Sequence, residues 1–177
     1  MRRVWFVSDT HFGHEAILGH CRPQFSSVEE MDEAIVENWC TTVGSGDLVY
    51  HLGDFCWSPK DVSKYRARLS GTIRLVVGNH DDVPACCAAT GADGRRAFQR
   101  VSLWRQFPEY GFVATHVPMR REQLRHARHS VHGHVHGNTT GLEPWHRDVS
   151  VESVDYRPIA AERLRQWVID TAREGFE

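Results

Sequence analysis

The chain has 177 residues, enough for one domain with a hydrophobic core, and its 41% hydrophobic and 25% charged content excludes a disordered or fibrous protein. A net charge of −2 and a pI near 6.6 supply no global basic field that would draw in nucleic acid or a membrane surface. Five cysteines (Cys21, Cys40, Cys56, Cys86, Cys87), odd in number and without a CxxC pair, argue against a disulfide framework.

Arg2 to Ser8 is rich in β-formers and almost continuously apolar after Arg3, which predicts a strand covered on both faces and ending at Ser8-Asp9-Thr10-His11. Val28 to Cys40 reads as a helix. Ser27 and Glu30 have capping-box spacing, and Val28, Met31, Ile35 and Trp39 share one face. The turn Gly44-Ser45-Gly46-Asp47 precedes a second strand, Leu48 to Leu52, ending at Gly53-Asp54. Ser58-Pro59 is a helix start, so a helix is expected from Lys60 to Leu69. Ile73 to Val77 is a third apolar strand, running into Gly78-Asn79-His80-Asp81.

Val101 to Trp104 and Phe112 to Thr115, split by Pro108 and Gly111, predict a hairpin whose second arm runs into His116. Ser130 to His132 is another short strand, followed by Gly133-His134-Val135-His136-Gly137. In the tail a strand is expected from Val149 to Tyr156, with a bulge at Glu152-Ser153 where the apolar alternation slips, and then a helix from Ala160 to Ile169. No repeat, low-complexity tract or linker interrupts the pattern, so one domain over 1–177 is expected. The absence of a membrane-length apolar run or signal-peptide pattern, with unpaired thiols, leads to the expectation of a cytoplasmic protein.

Metal-ligand residue types recur just beyond the predicted strands, where open α/β sheets carry their sites. They are Asp9 with His11, Asp54, Asn79-His80-Asp81, His116, and His134 with His136. Residues two apart in extended chain project to one side, so each spaced pair can grip one ion, and Gly53, Gly78 and Gly133 permit close backbone approach. Imidazoles with carboxylates and a carboxamide, without thiolate, suit manganese, iron, zinc or nickel. Seven candidate ligands exceed the needs of one tetrahedral ion and suit two if a carboxylate bridges. Each element alone has a bland reading as a turn or a surface imidazole in a chain with 12 histidines; the ordered set at strand ends does not.

The set Asp-x-His, Gly-Asp, Gly-Asn-His-Asp, His and Gly-His-x-His, in this order, resembles the calcineurin-like metallophosphoesterases, and Ser8 to His14 and Tyr50 to Asp54 resemble its small bacterial and phage members. The resemblance implies an α/β fold of two packed mixed β-sheets flanked by helices. It implies a first metal held by Asp9, His11, Asp54 and His136, and a second shared through Asp54 and held by Asn79, His116 and His134. His80 then matches the catalytic histidine and Asp81 the acidic residue that orients it. The expected cofactor is a pair of divalent ions, Mn2+ first, with Fe, Zn, Ni or Mg as the others, and the expected reaction is hydrolysis of a phosphate ester. One departure is Gly53-Asp54-Phe55-Cys56-Trp57-Ser58, which lacks the phosphate-binding arginine of protein serine/threonine phosphatases and reads away from a phosphoprotein substrate.

Gaps between motif residues reach at most 43 residues, His11 to Asp54, leaving no room for a cap domain and predicting an open cleft. The preferred substrate is a small or nucleotide-like phosphodiester, with monoesters also open. The alternatives are a nuclease acting on DNA or RNA ends, a metal-bearing interaction module without catalysis, and hydrolysis of a non-phosphate bond. Arg120, Arg121, Arg125, His126, Arg128 and His129 form a basic run that reads either as an anion-binding surface or as a solvated helix face. Trp57 reads either as a base-stacking group or as a core or rim tryptophan. No membrane partner is expected, and the oligomeric state is open.

Overall fold

Val4–Val7 forms the first strand, β1, with both faces covered as its apolar run requires: Val7 packs beneath helices and Phe6 faces a second sheet. The computed structural model describes residues 2–124 and 126–175, so Arg125 of the basic run lies outside the described residues. β1 pairs in parallel with β2 (Leu48–His51), β2 with β3 (Thr72–Val76), and β3 with β4 (Arg100–Ser102). Parallel pairing sends the C-terminal ends of β1, β2 and β3 to one edge, carrying residues 9, 54 and 79 there together.

The second sheet holds β5 (Trp104–Phe107), β6 (Phe112–Thr115), β7 (His129–His132) and β8 (His146–Asp148). β5 and β6 are antiparallel, whereas β6, β7 and β8 run parallel, so His116 and His134 leave the sheet at the same end. Strand β9 (Ile159–Ala160) returns to the first sheet, antiparallel to β1. The sheets are stitched at the common edge, where Ser8 bridges Ser150 in parallel and Val149 N–H donates to His132 O at 2.8 Å.

Five helices accompany the sheets among the described residues: α1 (Ile17–Cys21), α2 (Val28–Thr42), α3 (Val62–Arg66), α4 (Val83–Ala88) and α5 (Ala161–Arg173). Met31, Ile35 and Trp39 of α2 pack on Val49, Ile73 and Leu75 of the first sheet. Phe6, Tyr50, Phe107 and Phe112 fill the space between the sheets, with ring centroids 4.7–5.4 Å apart where they touch. This is the expected architecture of two mixed sheets flanked by helices. The Ser27 hydroxyl caps α2 by accepting Glu30 N–H at 3.1 Å, while the Glu30 carboxylate turns back to Ser26 rather than Ser27.

Three local expectations are corrected. The hairpin arm is Trp104–Phe107, because Val101 belongs to β4 of the first sheet and the chain crosses between sheets at the exposed Leu103. Both segments are short and mix polar with apolar residues, and periodicity does not say which sheet a strand joins. The strand expected from Val149 to Tyr156 stops after Ser150, and Val151–Val154 coils into a 3-10 turn followed by left-handed Asp155 and Tyr156. The slip in alternation thus marks a turn, where a bulge was expected. Finally, the segment after Ser58-Pro59 is a 3-10 turn, Pro59–Asp61, leading into an α3 of only five residues. No helix among the described residues is long and apolar enough to cross a membrane. All five cysteines are free.

Candidate metal centre

The loops beyond β1, β2, β3, β6 and β7 bring the seven ligand candidates to one edge, though not by the extended geometry expected of them. Asp9 (φ 58°), His11 (φ 47°), Asp54 (φ 55°), His134 (φ 72°) and His136 (φ 50°) are all left-handed. Non-glycine residues rarely adopt this conformation, at a cost of roughly 1–3 kcal/mol each, and such outliers cluster at functional sites. Surrounding contacts hold them there. Arg22, fully buried, donates from its guanidinium to the backbone oxygens of both Asp9 and Thr10. The Asp9 N–H binds Gly53 O at 2.9 Å, and His11 N–H binds Asp54 O at 3.0 Å.

The close packing explains two of the motif glycines. A Cβ on Gly78 would lie 2.1 Å from Asp54 Oδ1, and one on Gly133 would lie 2.1 Å from Asp9 Oδ2. Only a residue without a side chain lets these carboxylates occupy their positions.

Asp9 Oδ1 stands 3.8 Å from His11 Nε2 and 3.7 Å from His136 Nε2. Asp54 Oδ2 stands 3.5 Å from His11 Nε2 and 3.4 Å from His116 Nε2, between the two halves of the cluster. Asn79 Oδ1 lies 2.8 Å from His116 Nε2 and 2.9 Å from His134 Nδ1. Asp9 Oδ1 and His11 Nε2 are buried without a hydrogen-bond partner, which is costly for polar atoms unless something else satisfies them. Around Asp9 and Asp54 the groups converge at 3.4–3.8 Å, which suits a divalent cation with ligand bonds of about 2.0–2.2 Å, whereas Asn79 Oδ1 lies at hydrogen-bond distance from its two histidines. Asp9, His11 and His136 form one such group, and Asp9, Asp54 and His116 a second that shares Asp9.

Electrostatics agree with that fit at Asp9 and His11, whereas at His136 a cation would have to displace a proton. Burial pushes the Asp9 carboxyl up to about 6, a penalty that a neighbouring cation would remove. Burial also pushes His11 down to about 3, keeping the imidazole neutral with a lone pair to give. At His136 burial acts downward, but contacts to Cys21, Glu152 and Asp9 prevail and hold it at about 10. His116 Nδ1 faces Leu52 O at 2.8 Å, which fixes the ring and directs Nε2 into the cluster.

His80 stands exposed beside the candidate ligands, its backbone N–H donating to Asp54 Oδ1 at 2.8 Å and its ring centroid 5.4 Å from those of His11 and Trp57. The Asp81 carboxylate accepts the backbone N–H groups of Asp54 (2.9 Å), Phe55 (2.9 Å) and Gly78 (2.8 Å), tying the β2 and β3 loops together. This differs from the expected contact with the His80 ring: the carboxylate sits among backbone amides that would otherwise lack partners. Trp57 is half-exposed and stacked on His14 at 3.8 Å, and His14 in turn meets His11 through Nδ1 at 3.2 Å. His51 binds Thr10 Oγ1 at 3.0 Å, and His132 binds Gly133 O at 2.8 Å, so both brace ligand loops. The basic run is no single helix face. Arg121 begins a 3-10 turn and lies over the Trp145 ring, while His129 is buried in β7 against Thr171.

Glu152 was not legible as a site residue. Its Oε1 accepts from Arg22 Nε at 2.7 Å and meets His136 Nδ1 at 3.0 Å, the carboxylate–histidine arrangement that orients metal-ligating imidazoles. The one sequence signal was the broken alternation at 152–153, which marked irregular backbone without naming its purpose. Glu152→Gln is expected to lower stability, because buried Arg22 loses its charge partner, and, in protein shown by circular dichroism to be folded, to weaken Mn2+ affinity by about 10–100-fold in isothermal titration. Unaltered affinity would deny Glu152 that role.

The family model described as calcineurin-like phosphoesterase matches residues 2–168. An uncharacterised protein of Methanocaldococcus jannaschii is 32% identical over 173 residues, covering 93% of this chain and 90% of its own length. The gene 66 protein of Mycobacterium phage L5 is 36% identical over 85 residues, which cover 46% of this chain and 41% of the phage protein. A solved structure of a protein of unknown function from Aquifex aeolicus superposes with a TM-score of 0.75 at 25% identity, covering 94% of this chain and 99% of that one.

Proposed function

Since this chain belongs to the calcineurin-like phosphoesterase family, we propose that it hydrolyses a phosphodiester, small or nucleotide-like, at a dinuclear metal centre with assistance from His80. The carrying observation is the set of left-handed ligand residues converging around buried, unpartnered Asp9 Oδ1 and His11 Nε2. Asp9, His11, Asp54 and His136 would hold one divalent ion, and Asp54, Asn79, His116 and His134 the other, with manganese the first candidate. Divalent ions in such a site supply Lewis acidity, making water nucleophilic near neutral pH and neutralising phosphoryl charge.

The chain's own groups contribute position and a proton. Asp54 lies between the halves of the cluster and, by accepting His80 N–H, sets the base of the catalytic loop. The His80 ring, exposed above His11, is placed to protonate the departing ester oxygen. Asp81 fixes the distance between the Asp54 and Asn79 loops through three backbone amides. Among the described residues no cap covers the edge.

His80→Ala is expected to retain both metals while losing about 10²–10⁴-fold in rate, most severely for poor leaving groups, as removal of a positioned general acid would. Metal content per chain, with Mn2+-dependent turnover of a generic diester against a generic monoester, tests the reading. Fewer than two ions per chain, or activity indifferent to chelators, would sink the dinuclear mechanism. Faster turnover of the monoester would overturn the diester preference.

A further inference from the structure

A cavity of about 500 Å³ opens beside the candidate metal centre, within the ~300–1,000 Å³ range of small-ligand pockets. Asn79 and His116 line it, so it is continuous with the ligand cluster. Val113, Met119 and Leu124 supply apolar wall, and among the described residues no Asp, Glu, Lys or Arg borders it. Two more lining side chains, Leu103 (73% exposed) and Trp104 (53%), leave large apolar surfaces in water at one face of the cavity. The Thr115 hydroxyl is already committed to Val117 O at 2.6 Å, and Gln123 Oε1 to Arg120 N–H. Among the described residues, the other side-chain polar groups lining it include the neutral carboxamides of Gln106, the amino end of Gln123 and the amino end of Asn79.

This composition selects its occupant. A second phosphate or a charged peptide side chain would lose hydration there and find no counter-charge. An aromatic ring gains apolar burial, edge or face contact with Trp104, and sulfur contact with Met119. Resting on the phosphoesterase reading above, we propose that this cavity receives an uncharged aromatic substituent of the substrate, while its phosphoryl group lies at the adjoining Asp54, Asn79 and His116 edge. The specificity of the site then resides in β5, residues 117–119 and the 3-10 turn Arg121–Gln123, outside the ligand motifs.

The test uses the Mn2+-loaded protein and two phosphonates that share an anionic head and resist hydrolysis, phenylphosphonate and methylphosphonate, with affinities measured calorimetrically. Phenylphosphonate is expected to bind at least about tenfold more tightly. Trp104→Ala and Leu103→Ser, both at exposed positions, are expected to erase most of that preference and leave methylphosphonate binding unchanged. Equal affinities, undetectable binding of phenylphosphonate, or a preference that survives both variants overturns the proposal. So does a dimer that Leu103→Ser converts to monomer with phenyl affinity intact, because the apolar face would then belong to a second copy. A phenyl preference in a protein that hydrolyses no ester would leave the cavity assigned and defeat the hydrolase reading instead.

Discussion

Replacing Asp54 with alanine is expected to abolish metal binding and turnover together. Its carboxylate reaches His11 and His116, one from each half of the cluster, at 3.5 and 3.4 Å, and its second oxygen anchors the His80 backbone at 2.8 Å. No other described side chain touches all three. Losing several kcal/mol of charge stabilisation, at a factor of ten per 1.36 kcal/mol, lowers turnover on the order of 10³-fold or more. Elemental analysis of the purified variant should find metal content well below that of the parent. Wild-type stoichiometry with low activity would move Asp54 from the ligand set to the chemistry of the reaction.

The second large effect lies away from the cluster's centre. Arg22→Met is expected to destabilise the fold by about 3–5 kcal/mol, the cost of breaking a buried ion pair and leaving its partner uncompensated. Arg22 is fully buried and pairs with Glu152 at 2.7 Å, while its other nitrogens satisfy Asp9 O and Thr10 O. Methionine fills the space and removes every donor. Because Glu152 braces His136, the same variant should bind metal less tightly than its loss of stability alone explains. Chemical denaturation of both chains measures the effect, and a change within about 0.5 kcal/mol would reduce Arg22 to an ordinary surface-like position.

Much of the candidate site was legible because its chemistry sits where apolar strands stop. Asp9, Asp54, Asn79, His116 and His134 each follow a run whose β-forming character is unmistakable, and parallel pairing does the rest. What could not be read was the backbone between those runs. Extended chain places Asp9 and His11 on one side by alternation, whereas the structure uses left-handed turns held by Arg22. Glu152 and Arg22 meet across 130 residues of sequence, and nothing local to either announces the other. Of the site's three aspartates, Asp81 also departs from expectation, since it serves backbone amides.

Fold errors followed the same logic. Val101 and Trp104 are near neighbours in sequence and belong to different sheets, Val101 pairing with Leu75 and Trp104 with Thr115. Helices α1 and α4, at five and six residues, are too short to show a periodic face. The cap that α4 does carry, Asp82 accepting Ala85 N–H at 2.8 Å, lies immediately after the Gly78-Asn79-His80-Asp81 motif.

The torsional cost of the ligand loops has a thermal corollary. Five residues held at positive φ store several kcal/mol in total along a single rim, and relaxation of that rim releases the stored energy at once. Breathing of the ion-free chain should therefore begin there, while the aromatic layer between the sheets stays shut. Cations would act on this protein twice, as reagents and as the clasp that keeps a sprung edge closed.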